Sequence, residues 1–216
     1  MPYIILFMPI VEAEAELFAD DPLEALGREI RQLRRARELT LADLADSSGL
    51  SLSFLSKIER GVSKPSLTSL QDIAEALDVQ VGWFFNNVDA APTEEQPFVV
   101  RSHRRRRLTY SGMAGTDYLG FEDHLLSASL DRQLALGQSR YAPGGSTGDD
   151  LQVHEGEEAG LIIEGTIELT VDGATFVLDA GDSFSFPGDL PHRYENTSAH
   201  DAVLVWANSP LSLRRK

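Results

Sequence analysis

The sequence predicts an α + β chain of two domains, an N-terminal bundle of five short helices and a C-terminal all-β sandwich or barrel. Three observations lead there. Through residues 22–85, apolar side chains recur at helical spacing between residue types that favour helix ends. From Phe98 onward, Gly and Pro become frequent and short alternating apolar runs follow one another at near-regular intervals. Charge changes sign with the pattern: residues 28–64 hold eight Lys/Arg against five Asp/Glu, a local +3, whereas residues 116–213 hold three Arg against seventeen Asp/Glu, a local −14. The total of −15 over 216 residues argues against nucleic acid, but its uneven distribution leaves one basic region suited to that partner.

Residues 1–21 are expected to be a disordered leader. Their first eleven residues, MPYIILFMPIV, are apolar but too short to span a membrane and lack a basic n-region, and Met8 is an alternative start. The chain has no cysteine, so disulfides and cysteine–zinc sites are excluded and a reducing cytoplasm is the expected location, with no membrane partner.

Asp21-Pro22 starts the first helix, with Asp21 as N-cap and Leu26, Ile30 and Leu33 as its stripe to about Arg37. Thr40 caps a second, LADLADSS, and Ser48-Gly49-Leu50 turns the chain. Ser51 caps the third, SLSFLSKIERG, with Leu52, Leu55 and Ile58 as its stripe and Gly61 as its stop. Pro65-Ser66 starts the fourth, and residues 81–85 make a short fifth. Residues 86–97 read as a linker into a domain spanning 98–212. Its expected strands are 98–100, 120–126, 134–141, 160–163, 166–171, 174–178, 183–186 and 202–207, with a hairpin turn at Val171-Asp172-Gly173-Ala174.

Taken alone, the third helix has two readings. It is an ordinary amphipathic helix, or a short reader of the DNA major groove whose outer faces carry Ser53, Phe54, Ser56, Lys57 and Arg60. Residues 26–78, containing IRQLRRARELTLADLADSSGLSLSFLSKIERGVSKPSLTSLQDIAEAL, resemble the helix-turn-helix of the phage-repressor-like (XRE) family along all their helices. That resemblance favours the reader, in a domain covering 22–85. It places Leu52, Ser53 and Lys57 toward bases, Phe54 beside them, and Ser51, Ser56 and Arg60 near phosphates, while Lys64 adds backbone affinity. It also implies an internal ion pair between Arg34 and Glu59. Lys57 suits guanine O6/N7 and Ser53 suits several bases, but this helix offers no Asn or Gln for adenine.

Residues 130–207 resemble the cupin family, whose fold is a double-stranded β-helix or jelly-roll barrel. The first motif corresponds to STGDDLQVHEGEEAGLIIEGTIEL and the second to GDSFSFPGDLPHRYEN. Metal-binding cupins use two His and a Glu from the first motif and a His from the second. Here His154, Glu158 and His192 fill three places and Gln152 stands where the first His would be. Two imidazoles and a carboxylate suit one divalent metal, Zn, Fe, Mn or Ni; the other reading is a polar pocket in which the same side chains hydrogen-bond to one another or to an effector.

The resemblances imply a DNA-binding transcriptional regulator, a homodimer through its cupin domain, that senses a small-molecule effector and is not an enzyme. The alternative is an Fe(II)-dependent oxidase or epoxidase, since hydroxypropylphosphonate epoxidase also joins a repressor-like domain to a cupin and uses a His-Glu-His triad. The run Arg104–Arg107 reads as a second DNA contact, a solvated strand edge, or a partner for the acidic barrel.

Overall fold

The computed structural model describes residues 21–85, 95, 98–108, 119–130 and 132–210. The expected leader up to residue 20, nearly all of the expected linker 86–97 and the basic tail Arg214-Arg215-Lys216 lie outside the described residues. Among the described residues, no helix is long and apolar enough to cross a membrane.

The helical part begins with α1 (Pro22–Ala36), capped by Asp21, whose side chain accepts from Leu23 N. α2 (Leu41–Ser48) starts in a capping box, where Thr40 and Asp43 satisfy each other's backbone N–H groups. Gly49 then turns the chain at a φ of 69° into α3 (Leu52–Glu59), capped by Ser51. α4 (Leu67–Ala76), capped by Ser66, completes the set. The apolar stripes meet in one core of Ile30, Leu33, Leu44, Leu55, Ile58, Ile73 and Leu77, all essentially inaccessible to solvent.

The fifth helix expected over 81–85 is a 3-10 turn, Val81–Phe85, so the bundle has four α-helices among the described residues. Five residues, one of them Gly82, are too few to sustain an α-helix, and Trp83 N closes back three positions onto Gln80 O. Trp83 and Phe84 are nonetheless buried against the bundle.

The β part contains β1 (Arg106–Leu108), β2 (Phe121–Leu125), β3 (Ala135–Tyr141), β4 (Glu157–Glu164), β5 (Thr166–Val171), β6 (Ala174–Asp179), β7 (Ser183–Pro187), β8 (His192–Glu195) and β9 (Ala202–Ser209). They form a six-stranded antiparallel sheet, β1-β2-β3-β9-β4-β7, and a three-stranded one, β6-β5-β8. Among the described residues, neither sheet closes on itself into the expected barrel. Residues 98–100 are not the expected strand, because Phe98 N and Val99 N both turn back to Glu95 O. Two strands, β1 and β8, went unread: one lies inside the arginine run, and the other has only four residues behind Pro191.

Alternation along β2 and β3 sends Phe121, Leu125, Ala135 and Tyr141 into the core and their neighbours outward. Gly137 and Gly160 sit where neighbouring rings need the space of a side chain. A Cβ on Gly137 would lie 2.1 Å from Trp206 Cζ2, and one on Gly160 would lie 2.3 Å from Phe184 Cζ. Those two rings therefore fill the side-chain space of the glycines on the sheet that also carries Glu158.

Candidate nucleic-acid interface and metal centre

On α3, Leu55 and Ile58 are buried, and Leu52, Ser53, Lys57 and Arg60 face solvent with Ser51. Leu52 is 51% exposed, unusual for a leucine, because it lies on the outer face and not on the stripe. Phe54 and Ser56 are half-buried, Lys64 is exposed beyond the helix, and Arg60 Nε donates to Ser56 O at 3.1 Å. Arg34 grips Glu59 with two parallel bonds, Nε to Oε1 at 2.6 Å and Nη2 to Oε2 at 2.9 Å, and gives Nη1 to Leu39 O at 2.8 Å. Both side chains are largely shielded, so the pair fixes the crossing of α1 and α3.

The second site lies between the two sheets. His154 comes from the segment before β4, Glu158 from β4 and His192 from β8, and one ligand atom of each falls within 4.8 Å of the others. The chain brings His154 in by hydrogen-bonding its N–H to Gly188 O at 2.9 Å, and only a residue without a Cβ fits there: a Cβ on Gly188 would stand 2.3 Å from His154 Cε1. Gln152 and His192 exchange both backbone hydrogen bonds, at 2.7 and 3.0 Å, so their side chains leave the same face of the pair. Gln152 is buried, and its Nε2 has no hydrogen-bond partner among the described residues.

The protons of the triad follow from its backbone contacts. His154 Nδ1 lies 2.9 Å from Glu155 O and His192 Nδ1 lies 2.8 Å from Leu190 O. A carbonyl can only accept, so each Nδ1 carries the proton and each neutral ring presents a lone pair from Nε2. Both lone pairs face Glu158 Oε2, at 2.9 Å and 3.6 Å. Three electron-pair donors thus converge where only a proton or a cation relieves them. Carbonyls holding Nδ1–H and Nε2 facing inward are the outer support a metal-binding imidazole needs.

Tyr194 completes the geometry. Its hydroxyl donates to Glu158 Oε1 at 2.6 Å, leaving Oε2 as the single ligand atom. Burial alone pushes the Glu158 carboxyl upward and is the largest influence on it. Once the imidazoles take up a second proton at Nε2, the hydrogen bond from His154, the charge of His192 and the Tyr194 hydroxyl outweigh burial and hold the group below its ordinary 4.5. Phe186 stands against the His192 ring at 4.9 Å between centroids, and Phe184 against Tyr194 at 5.6 Å, giving the pocket apolar walls. Sequence reasoning missed Tyr194, Phe184, Phe186 and Gly188, although Phe184/Phe186 and His192/Tyr194 each stand two apart, the spacing of one strand face.

The donor set fits a divalent metal of the Zn, Fe, Mn or Ni type, with positions left over for a small ligand. That arrangement overturns the expectation that the chain is not an enzyme. A buried two-histidine, one-carboxylate cluster has the composition of a catalytic centre, and the chain therefore carries the groups for metal-assisted chemistry. Glu155 and Glu157 point to solvent, and Arg140 and Arg193 are paired with Asp201 and Glu195.

Comparison with known proteins places both parts. Residues 30–84 match the helix-turn-helix family and residues 137–208 match the cupin domain family. The chain joins an N-terminal, XRE-like helix-turn-helix domain to a C-terminal cupin domain. It is 29% identical to the HTH-type transcriptional regulator PuuR of Escherichia coli (strain K12) over 186 residues, 86% of this chain and 95% of that one. It is also 29% identical to the HTH-type transcriptional regulator SutR of the same organism, over 79% of this chain and 86% of that one. A solved structure of an HTH_3 family transcriptional regulator from Vibrio cholerae superposes with a TM-score of 0.39 at 22% identity, covering 86% of this chain and 95% of that one.

Proposed function

We propose that this chain is a transcriptional regulator whose helix-turn-helix domain binds double-stranded DNA and whose cupin domain binds a small-molecule effector, held with a divalent metal, that alters DNA affinity. The observation that carries this reading is the presence in one chain of a capped, solvent-facing α3 and a buried His154–Glu158–His192 cluster in a domain of opposite charge. The names of PuuR and SutR as transcriptional regulators support it.

In this reading the DNA-binding domain spans 22–85, a linker 86–97, and the cupin sensor 98–212, whose facing sheets form a jelly-roll. Lys57 donates to guanine, Ser53 adapts to several bases, Leu52 and Phe54 meet thymine methyls, and Ser51, Ser56, Arg60 and Lys64 hold phosphates. One such helix reads only a few base pairs. A homodimer joined through the cupin domains sets two copies of α3 about one DNA turn apart and makes a paired site selective. Such a protein works in the cytoplasm, beside the DNA. When bound, a metal at the triad supplies Lewis-acid or redox chemistry, while Gln152 and the aromatic walls orient the effector.

A second reading, metal-dependent oxidation of a small substrate, is favoured by the same triad. Duplex selection from a genomic fragment pool at two salt concentrations separates the two, with wild type beside Lys57→Ala/Arg60→Ala. The regulator reading expects selective binding that the double variant loses, with the salt slope lower by about two. No selection, together with iron-dependent oxygen consumption, would establish the enzyme instead.

A further inference from the structure

The run Arg104–Arg107 does not serve as a block. Arg105 Nη1 donates to Gln138 Oε1 at 2.7 Å within the cupin domain. Arg106, on β1, leaves that domain altogether: its Nη1 donates to Glu29 Oε1 of α1, and its guanidinium lies 4.8 Å from the centre of the Trp83 ring. Its Nη2 also approaches Ala128 O at 3.4 Å. Glu29 is 7% exposed and Trp83 4%, so the contact is a buried seam between the two domains and not a surface pair. Burial is the largest influence on Glu29 and raises its carboxyl above the ordinary value, while Arg106 pulls it back.

We propose that Glu29, Arg106 and Trp83 form a latch that docks the helix-turn-helix domain on the cupin domain and transmits occupancy of the triad to α3. The inference rests on the regulator reading above.

Three features suit the contact to that task. First, α1 moves the whole reading head. Besides Glu29 it carries Arg34, bound to Glu59 at the end of α3, and it is capped by Arg37, bound to Leu77 O at 3.1 Å and Asp78 O at 2.9 Å beyond α4. A shift at Glu29 therefore displaces α3 and α4 together.

Second, the contact is energetically close to balance. A buried ion pair recovers little more from Coulomb attraction than its two charges lose in leaving water. Opening returns both groups to solvent, so the docked and released arrangements lie near enough in free energy for a ligand to choose between them. An apolar seam of the same size would favour the docked arrangement more strongly.

Third, one row of paired residues runs from the latch to the triad. Arg106 pairs with Leu125, Leu125 with Gly137, Gly137 with Trp206, Trp206 with Gly160, and Gly160 with Phe184. The Trp206 and Phe184 rings occupy the side-chain space of the two glycines, so the row has no slack. Phe184 meets Tyr194, whose hydroxyl holds Glu158. Contraction of the triad around a cation draws Tyr194 inward and so shifts a packed, continuous row.

The test uses the full-length protein, duplexes that wild type selects from a random-sequence pool, and Zn²⁺ or Mn²⁺ against EDTA as the occupancy probe. Wild type should change duplex Kd by about five-fold or more between metal and EDTA. Glu29→Gln and Arg106→Gln should reduce that ratio to within roughly two-fold, and hydrogen exchange in α1 should quicken. Each single variant leaves one buried charge unmatched, so Glu29→Gln/Arg106→Met, which removes both, is measured alongside and should show the same loss of coupling in a folded protein. Arg105→Gln, which removes equal charge one residue away, should keep the wild-type ratio.

Retention of the wild-type ratio by the latch variants, no metal effect in wild type, or unchanged exchange in α1 overturns the latch. A wild type that selects no duplex sinks the regulator reading itself, a result distinct from selection with unaltered coupling.

Discussion

Tyr194→Phe isolates one atom of the candidate metal centre. The phenylalanine keeps the ring that packs on Phe184 and removes only the hydroxyl that donates to Glu158 Oε1 at 2.6 Å. That length is typical of a charge-assisted O–H···O⁻ bond, and both residues are buried, so the bond falls among those worth about 1.5–3 kcal/mol. Without it, Glu158 has an unsatisfied oxygen and freedom to turn, while His154 and His192 keep their carbonyl supports. Metal affinity should fall roughly 10–100-fold, the usual cost of losing an outer support, which is about 1.4–2.8 kcal/mol and agrees with the bond's worth. The assay is competition for Zn²⁺ against a chromophoric chelator, repeated with Co²⁺, whose visible spectrum reports coordination number. A Tyr194→Phe protein that binds Zn²⁺ within about two-fold of wild type, with an unchanged Co²⁺ spectrum, refutes the assignment of Tyr194 as the group that orients Glu158.

Three other expectations follow from the packing. Arg34→Ala leaves Glu59 shielded and unpaired and should cost about 3–5 kcal/mol in denaturant unfolding of the helix-turn-helix domain; a loss under about 1 kcal/mol would mean that water already compensates the pair. Gly137→Ala drives a Cβ into the Trp206 ring and should destabilise the cupin domain by about 1–3 kcal/mol, whereas an unchanged unfolding midpoint would show that the ring can move aside. The Asp43 carboxyl is held below its ordinary 3.8 by the Thr40 hydroxyl first and the Thr40 backbone N–H second. Its folded value lies under the unfolded one, so the stability it adds is complete above pH 3.8 and is lost as pH falls through the folded value. The melting-temperature gap between wild type and Asp43→Asn should therefore close on acidification, and a gap independent of pH contradicts the capping box as its source.

Local chemistry by itself determined the four α-helices of the N-terminal part and where each begins. Asp21, Thr40, Ser51 and Ser66 act on N–H groups two or three residues away, so their caps are readable one by one. The joining of a helix-turn-helix domain to a cupin domain, and a cluster able to hold a divalent metal, were legible through the resemblance of residues 26–78 and 130–207 to known families. Where the local signal is short, it failed: Val81–Phe85 stops at a 3-10 turn, and β8 has too few residues to announce itself.

Tertiary structure alone decided what surrounds and connects the sites. Tyr194 meets Glu158 across 36 positions, and Arg106 meets Glu29 across 77, separations at which no periodicity links two side chains. The proton positions on His154 and His192 depend on where Glu155 O and Leu190 O happen to point, which only the folded backbone defines. The same residues that spelled out a regulator without enzymatic chemistry become, once their lone pairs are seen to converge in a buried pocket, a centre able to support it. Spacing along a chain specifies local geometry, whereas burial and convergence belong to the packed sheets that bring distant residues together.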